Sequence, residues 1–262
     1  MCGIVGVVGP HLDEFADKNV SSSWASYEVY RGLLTLQHRG QDAAGILSFD
    51  ESRNHFYGHK DLGLVANVFD QQALDGLYGT MAIGHTRYAT SGSDRVQDIQ
   101  PLVTGFPFGV GMVHNGNIVN YPQLAQKLQK EWNFQLLTSN DLELFLNTWC
   151  QKMSEGGQQS GHFDKLSTRE LFEKALSPAE QFFEHFHGGY ALIGMMANVG
   201  MFGIRDPKGI RPLVIGVKEL DSGKKSYCLA SETVTLNFFL LYSLFYVWLL
   251  FMGFRSDDCG LL

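Results

Sequence analysis

Short apolar runs alternate along the chain with a few longer stretches whose apolar positions return at helical spacing. Residues 3–9 (GIVGVVG) form a continuous apolar run of strand length and predict a buried strand. Residues 24–37 carry Trp24, Tyr27, Leu33, Leu34 and Leu36 at helical spacing and predict a helix. Short β-type segments follow near 43–49 and 54–59, and 80–87 (TMAIGHTR) and 108–114 (FGVGMVH) predict further strands. A helix is expected from Tyr121 to Glu131, with Asn120 at the N-cap and Pro122 in the first turn. A second, from Asp141 to Met153, has Ser139 or Asn140 as its cap. The polar stretch 154–165, rich in Gly, Gln and Ser, predicts a surface loop, and a helix is expected over about 168–186. Strands at 189–196 and 199–204 meet at a tight turn near Asn198, and strands near 212–217 and 226–231 follow. Helices set between groups of closely spaced strands favour antiparallel sheets with helices outside. Pattern alone stops at a mixed α and β fold.

The last part of the chain breaks the pattern. From Thr233 to Phe254 there is no charged residue, and Leu236 to Phe254 reads LNFFLLYSLFYVWLLFMGF. That length matches the roughly 20 residues a membrane-spanning helix needs. The aromatic residues are spread throughout it, however, instead of gathering at its ends. The expected division is a domain over 1–232 and an atypical apolar tail over 233–262, read first as sequence foreign to the domain. A membrane anchor or a buried apolar helix are the lesser readings.

The rest of the composition is ordinary for a globular domain: 45% apolar and 18% charged residues in 262, with a net charge of −7. That charge leaves no electrostatic footprint for nucleic acid. Four cysteines (Cys2, Cys150, Cys228, Cys259) contain no C-x-x-C pair, which argues against a zinc site or a disulfide framework and for a reduced, cytoplasmic setting. The N-terminus lacks the basic leader of a signal peptide.

Cys2 is the first candidate for chemistry. Removal of Met1 would make it the N-terminal residue, with a thiol and an α-amine on the same carbon. An α-amine has a pKa of about 7.7–8.0, so near neutral pH it can act as base for the adjacent thiol. Taken alone, Cys2 reads as an inert cysteine at a strand start. His114–Asn117 (HNGN) offers an Asn amide and a Gly backbone N–H as donors for an oxyanion, or an Asn-Gly hairpin turn. Arg87, in GHTRYAT, offers a planar fork for a carboxylate, or a structural ion pair at a strand end. Asp141, in SNDLE, suits either an ammonium or a helix N-terminus. Arg39, in LQHRGQDAAGI, falls at a helix end. His85 and His114 are read as structural, since the α-amine already supplies a base.

MCGIVG, LQHRGQDAAGI, GHTRYAT, HNGNI and SNDLE occur in that order within the first 143 residues. In order and spacing they resemble the class II (N-terminal nucleophile) glutamine amidotransferases. RDPKGIRPL at 205–213 and LASE at 229–232 resemble the amidophosphoribosyltransferase branch of that family. The resemblance implies an α+β fold: a four-layer αββα sandwich of two antiparallel sheets between helical layers. It implies glutamine as substrate, Cys2 as nucleophile and Asn115 with Gly116 as the oxyanion pair. Arg87 would hold the α-carboxylate and Asp141 the α-ammonium. Tyr88 and Thr90 would sit in a loop closing over the substrate, and Arg39 would support the nucleophile. The family's phosphoribosyltransferase domain, with its 5-phosphoribosyl 1-diphosphate (PRPP) site, its Mg²⁺ and its homo-oligomeric assembly, is not expected within these residues. No metal or cofactor is expected in them either, and the iron–sulfur cluster of some relatives lacks its ligands here. The alternatives are the glutaminase domain of a glucosamine-6-phosphate synthase, or a membrane-tethered module that binds glutamine without hydrolysing it.

Overall fold

The computed structural model describes residues 1–17, 20–88, 95–158, 170, 173, 184–239, 242–246 and 249–253. Two antiparallel sheets form the centre. The larger has seven strands, β1 (Gly3–Val8), β2 (Ala43–Asp50), β3 (His55–Leu62), β4 (Met81–Arg87), β9 (Val214–Glu219), β10 (Lys225–Ala230) and β11 (Tyr242–Tyr246), in the order β11-β9-β10-β1-β4-β2-β3. The smaller has five, β5 (Leu102–Thr104), β6 (Val110–Ile118), β7 (Gly188–Met196), β8 (Gly200–Arg205) and β12 (Leu249–Gly253), in the order β12-β8-β7-β6-β5.

Three apolar clusters separate four layers. Ile4, Val8, Met81 and Ile83 from one sheet meet Val113, Ala191, Ile193 and Met195 from the other. The opposite parity of the large sheet (Val5, Val7, Ala44, Ile46, Ala82) packs on helix α1 (Trp24–Thr35) through Ala25, Val29 and Leu33, and on the short helices α2 (Val65–Val68) and α3 (Gln71–Asp75) through Val65, Val68 and Leu74. The outer face of the small sheet (Met112, Leu192, Phe202, Ile204) packs on helices α4 (Tyr121–Trp132) and α5 (Leu142–Gln158). Trp149 of α5 stacks on Phe202 at 4.6 Å. β1 is covered on both faces and paired on both edges, which is why GIVGVV is apolar without alternation. Gly84 lets α1 approach β4, since a Cβ there would lie 2.4 Å from Val29 Cγ1.

Most expected elements are present, with boundaries moved by up to three residues and the end of β6 by four, from 114 to Ile118. The turn between β7 and β8 does use Asn198, at φ 59°. Three expectations need correction. Residues 154–158, read as loop, continue α5 to Gln158. β5, three residues long, has no pattern of its own and exists by pairing with β6 at Leu102↔Met112 to Thr104↔Val110. Asn120 is at the N-cap position of α4 without capping it; its side chain bridges His185 and His187 instead. Residues 170, 173, 184 and 185 are helical within the expected 168–186 helix, whose other residues up to 183 lie outside the described ones.

The apolar end does not form one long helix. Helix α6 (Thr233–Phe238) packs through Leu236 and Phe239 into the same cluster as α1, and β11 and β12 each extend one sheet. Among the described residues no helix is long and apolar enough to cross a membrane.

Candidate active site

The ends of β1, β4 and β6 meet the start of α5 around a cavity of about 570 Å³. Cys2, Arg87, Tyr88, Gly116 and Asp141 all line it, together with His85, His114, Asp98, Gln100, Tyr121 and Arg211. Cys2, just ahead of β1, shares parity with Ile4, and His85 and Arg87 share parity with Ile83. The residues facing the sheet interface thus become polar where the two sheets part. Tyr88 is half exposed at the rim, and Thr90 lies outside the described residues.

Asn115 and Gly116 are inside β6, paired with Ala191 and Tyr190 of β7, so the hairpin-turn reading is wrong. β5 ends at Leu102, opposite Met112, and leaves the far edge of β6 without a strand partner. Gln100 takes up part of that edge by accepting a hydrogen bond from the His114 backbone N–H at 2.6 Å. Neighbouring strand residues turn their N–H groups to opposite edges. The Gly116 N–H therefore falls on the same vacated edge as that of His114. Gly116 has φ 154°, and a Cβ there would lie 2.2 Å from the Gly189 carbonyl oxygen, so only glycine fits. The Asn115 side chain is 2% exposed, and its Nδ2 has no hydrogen-bond partner among the described residues. A buried donor without a partner is rare in folded proteins, and this one leaves an amide N–H uncommitted next to the cavity residue Gly116.

Asp141 is set by its neighbours. Asp98, 2% exposed, accepts hydrogen bonds from Ser139 N and Ser139 Oγ, both at 3.0 Å. Asn140 donates to the Asp98 carbonyl at 2.8 Å and caps α5 by accepting from Leu142 N at 3.0 Å. Asp141 Oδ1 lies 3.3 Å from His114 Nδ1. Burial lowers the pKa of His114, with Asp141 working against it, and His85 is pushed down to about 3 by burial, aided by the charges of His114 and Arg87. Burial thus weakens both imidazoles as proton acceptors, which fits a structural role better than that of a base.

Cys2 is held by backbone and arginine. Gly3 N donates to Thr86 Oγ1 at 3.2 Å, and Arg39 Nε donates to the Cys2 carbonyl at 2.8 Å. Burial pushes the Cys2 thiol above its ordinary value, opposed by a Tyr88 backbone hydrogen bond, the N-terminal charge and Arg87, while Asp141 adds to the rise. A thiol so placed needs a base beside it to become a nucleophile. Gly40 brings the Arg39 segment onto β4: a Cβ there would lie 2.6 Å from the Arg87 carbonyl. The RDPKGIRPL segment also acquires a physical role. Buried Asp206 accepts from the backbone N–H groups of Tyr190, Lys208, Ile210 and Arg211, at 3.0–3.3 Å, and so fixes the loop that carries Arg211 to the cavity. Sequence reading missed Arg211, Asp98, Gln100 and Tyr121 as cavity residues. Only Arg211 lies in a motif already singled out.

A family model described as a glutamine amidotransferase domain matches residues 85–237, more than half of the chain. The chain belongs to the glutamine amidotransferase domain family. Its fold is the four-layer sandwich of the N-terminal nucleophile hydrolases, as the motifs implied. Among curated relatives, the amidophosphoribosyltransferase of Schizosaccharomyces pombe is 39% identical over 241 residues, covering 91% of this chain and 41% of the relative. That of Escherichia coli is 37% identical over 237 residues, covering 90% and 43%. A solved structure of the glutamine PRPP amidotransferase of B. subtilis, complexed with ADP and GMP, superposes with a TM-score of 0.71 at 30% identity. It covers 96% of this chain and 47% of that one. The chain thus spans about two-fifths of the length of the curated relatives it matches.

Proposed function

We propose that this domain hydrolyses glutamine through a γ-glutamyl thioester on Cys2, as the glutaminase half of an amidophosphoribosyltransferase. The carrying observation is that one cavity joins a thiol at the head of β1 to a cation and an anion, Arg87 and Asp141, suited to the two charged ends of a free amino acid. Removal of Met1 frees the α-amine of Cys2. That amine takes the thiol proton, and the sulfur attacks the side-chain amide carbon of glutamine. Asn115 Nδ2 and the Gly116 N–H donate to the oxyanion that forms. The α-ammonium returns its proton to the departing nitrogen, the carbon–nitrogen bond breaks, and ammonia and a thioester result. Water, deprotonated by the same amine, attacks the thioester. Glutamate leaves and the thiol is restored. Tyr88 stands at the mouth, and Arg39 holds Cys2 in place.

In the whole enzyme the ammonia would displace pyrophosphate from PRPP to give 5-phosphoribosylamine, the first step of de novo purine synthesis. We place that enzyme in the cytoplasm as a homo-oligomer. We assign the Mg²⁺ that accompanies PRPP to the phosphoribosyltransferase part of that enzyme. The names of the relatives favour this reading over a sugar-phosphate synthase or a non-catalytic glutamine-binding module.

The test is covalent labelling with a glutamine analogue bearing an electrophilic side chain, followed by peptide mass spectrometry. The label is expected on Cys2 in chains that have lost Met1, with glutamate release abolished in step. Labelling confined to Cys150 or Cys228 would defeat the proposal, as would ammonia release by protein that retains Met1.

A further inference from the structure

The buried guanidinium beside Cys2 has its charge partner in the LASE segment, which the sequence offered only as a family signature. Arg39 is 6% exposed. Besides the Cys2 carbonyl, its hydrogen-bond partner is Glu232 Oε1, and its second terminal nitrogen is buried without a partner among the described residues. Glu232 occupies the N-cap position of α6, where a carboxylate ordinarily accepts from the helix's own amides. It makes no such bond, and reaches Arg39 instead. His38 braces it from the solvent side, Nε2 to Oε2 at 3.2 Å. Partial burial opposes ionisation of Glu232, but the Arg39 hydrogen bond and charge, with His38 behind them, hold its carboxyl below the usual range. The preceding residue works on the same strand. Ser231 N donates to the Ile4 carbonyl and Ser231 Oγ accepts from Ile4 N, each at 3.0 Å.

We propose that Glu232 is a positioning residue for the N-terminal nucleophile, acting through Arg39 on the Cys2 carbonyl; this rests on the reading of Cys2 given above. A guanidinium stays charged at any working pH. Deprived of Glu232, Arg39 would be a buried charge without a counterion, and would either turn toward solvent or stay as an unbalanced cation beside the thiol. Turning outward releases the carbonyl that orients Cys2. Misplacement by about 1 Å costs on the order of a hundredfold in rate. Staying in place stabilises the thiolate. The charged and titratable groups that share the cavity with that thiol or lie beside it are Asp141 at the start of α5, Arg87, His85 and Tyr88 at the end of β4, His114 on β6, Asp98 ahead of β5, Tyr121 of α4, Arg211 on the 206–211 loop, the N-terminal amine and Arg39 itself. Glu232 balances only the last of these.

The experiment compares the full chain with Glu232→Gln, Glu232→Ala and Glu232→Asp. The first readout is the rate of Cys2 alkylation by iodoacetamide against pH, located by peptide mapping. The second is kcat and KM for glutamate release. In the Gln and Ala variants the alkylation midpoint is expected to move by about half a unit, acidward if Arg39 stays as an uncompensated charge several ångströms away and toward alkaline pH if it turns to solvent. Their kcat is expected to fall about 10- to 100-fold, with KM for glutamine little changed because Arg87 and Asp141 are untouched. Glu232→Asp is expected to recover most of both. Alkylation profiles that superpose on wild type overturn the proposal, and so does a loss confined to KM. Should the Ala variant fail to fold, the Gln variant, equal in size and still an acceptor, decides alone. A shifted alkylation profile in protein whose wild type releases no glutamate upholds the positioning role and defeats the glutaminase reading.

Discussion

The sharpest perturbation of the proposed clamp is Asp141→Asn, which removes one charge and keeps shape and one acceptor oxygen. The Asp141 side chain is 23% exposed and lies in the cavity wall. A full charge on an ammonium about 4 Å away, in a medium of effective dielectric about 20, interacts by about 4 kcal/mol. Desolvation of both groups and residual solvent screening reduce the net value to about 1.5–3 kcal/mol, the usual range for a hydrogen bond to a charged group. At about 1.4 kcal/mol per decade, that predicts a loss of roughly 10- to 150-fold in kcat/KM for L-glutamine. The assay is glutamate release measured in parallel with release from the des-amino analogue, which keeps the amide and the α-carboxylate and lacks the ammonium. For that analogue the wild type and Asp141→Asn should have kcat/KM values within about twofold, since the missing interaction is missing in both. The His114 contact does not confuse the result. Burial already depresses His114, and loss of Asp141 removes the opposing influence, so the imidazole stays neutral around pH 7 in both proteins. Equal losses for the two substrates would refute the clamp and assign Asp141 to holding the loop before α5.

Two further outcomes test other parts of the site. Gly116→Ala places a Cβ 2.2 Å from the Gly189 carbonyl in a backbone conformation with φ 154°. We expect destabilisation of about 1–3 kcal/mol by urea unfolding and a fall in kcat of about a hundredfold or more; an Ala variant with wild-type kcat would exclude Gly116 from the oxyanion pair. His85, held near 3 by burial when folded and near 6.5 when unfolded, stays unprotonated in the folded state over a range where the unfolded chain binds a proton. Its contribution to stability is therefore fully present above about pH 6.5 and is lost as pH falls toward 3, with a slope of up to about 1.4 kcal/mol per unit. Urea unfolding at pH 7, 6 and 5 should show a shallower slope in His85→Gln than in wild type, and equal slopes would refute the buried-neutral reading.

What could be read from the sequence was set by how local the physical cause is. β1, α1, β7, β8 and α4 were legible because each carries its own apolar run, period or boundary residue. The candidate site residues were legible through five short motifs that keep a family order; taken singly, each also fits a structural role, and what the cavity adds is that Cys2, Arg87, Gly116 and Asp141 come together. β5 was not legible, since a three-residue strand exists only by its register with β6. The Gly156–Gly157 pair in α5 resembles a loop by composition, yet the helix runs through it. Sheet order was beyond reach for the same reason. β1 sits between β4 and β10, with Val5 opposite Ala230, and nothing near either residue announces a partner more than two hundred positions away.

That long-range pairing also explains why the cavity lies at this end of the sandwich. β1 begins at Gly3, so the residue before it lies at the very end of the central strand, where pairing to Thr86 and the hydrogen bonds of Ser231 to Ile4 have fixed the backbone but no neighbour has closed over it. β4 runs antiparallel and ends beside it, which delivers Arg87 to the same level. On the facing sheet β5 stops short and leaves the Gly116 edge of β6 open. A nucleophile that must use its own α-amine as base has to be terminal, rigid and still accessible. A central strand's first residue meets the first two conditions by pairing, and the third because the opposite sheet is one strand narrower there. Extending the ladder of β5 past Met112 by redesign of residues 99–101, with Ile99 kept apolar and Asp98 kept to hold the loop before α5, would therefore be expected to abolish turnover by closing the Gly116 edge of β6, with urea unfolding and glutamate release as the two measurements. Activity in such a protein would mean that the open edge of β6 is not where the oxyanion is held.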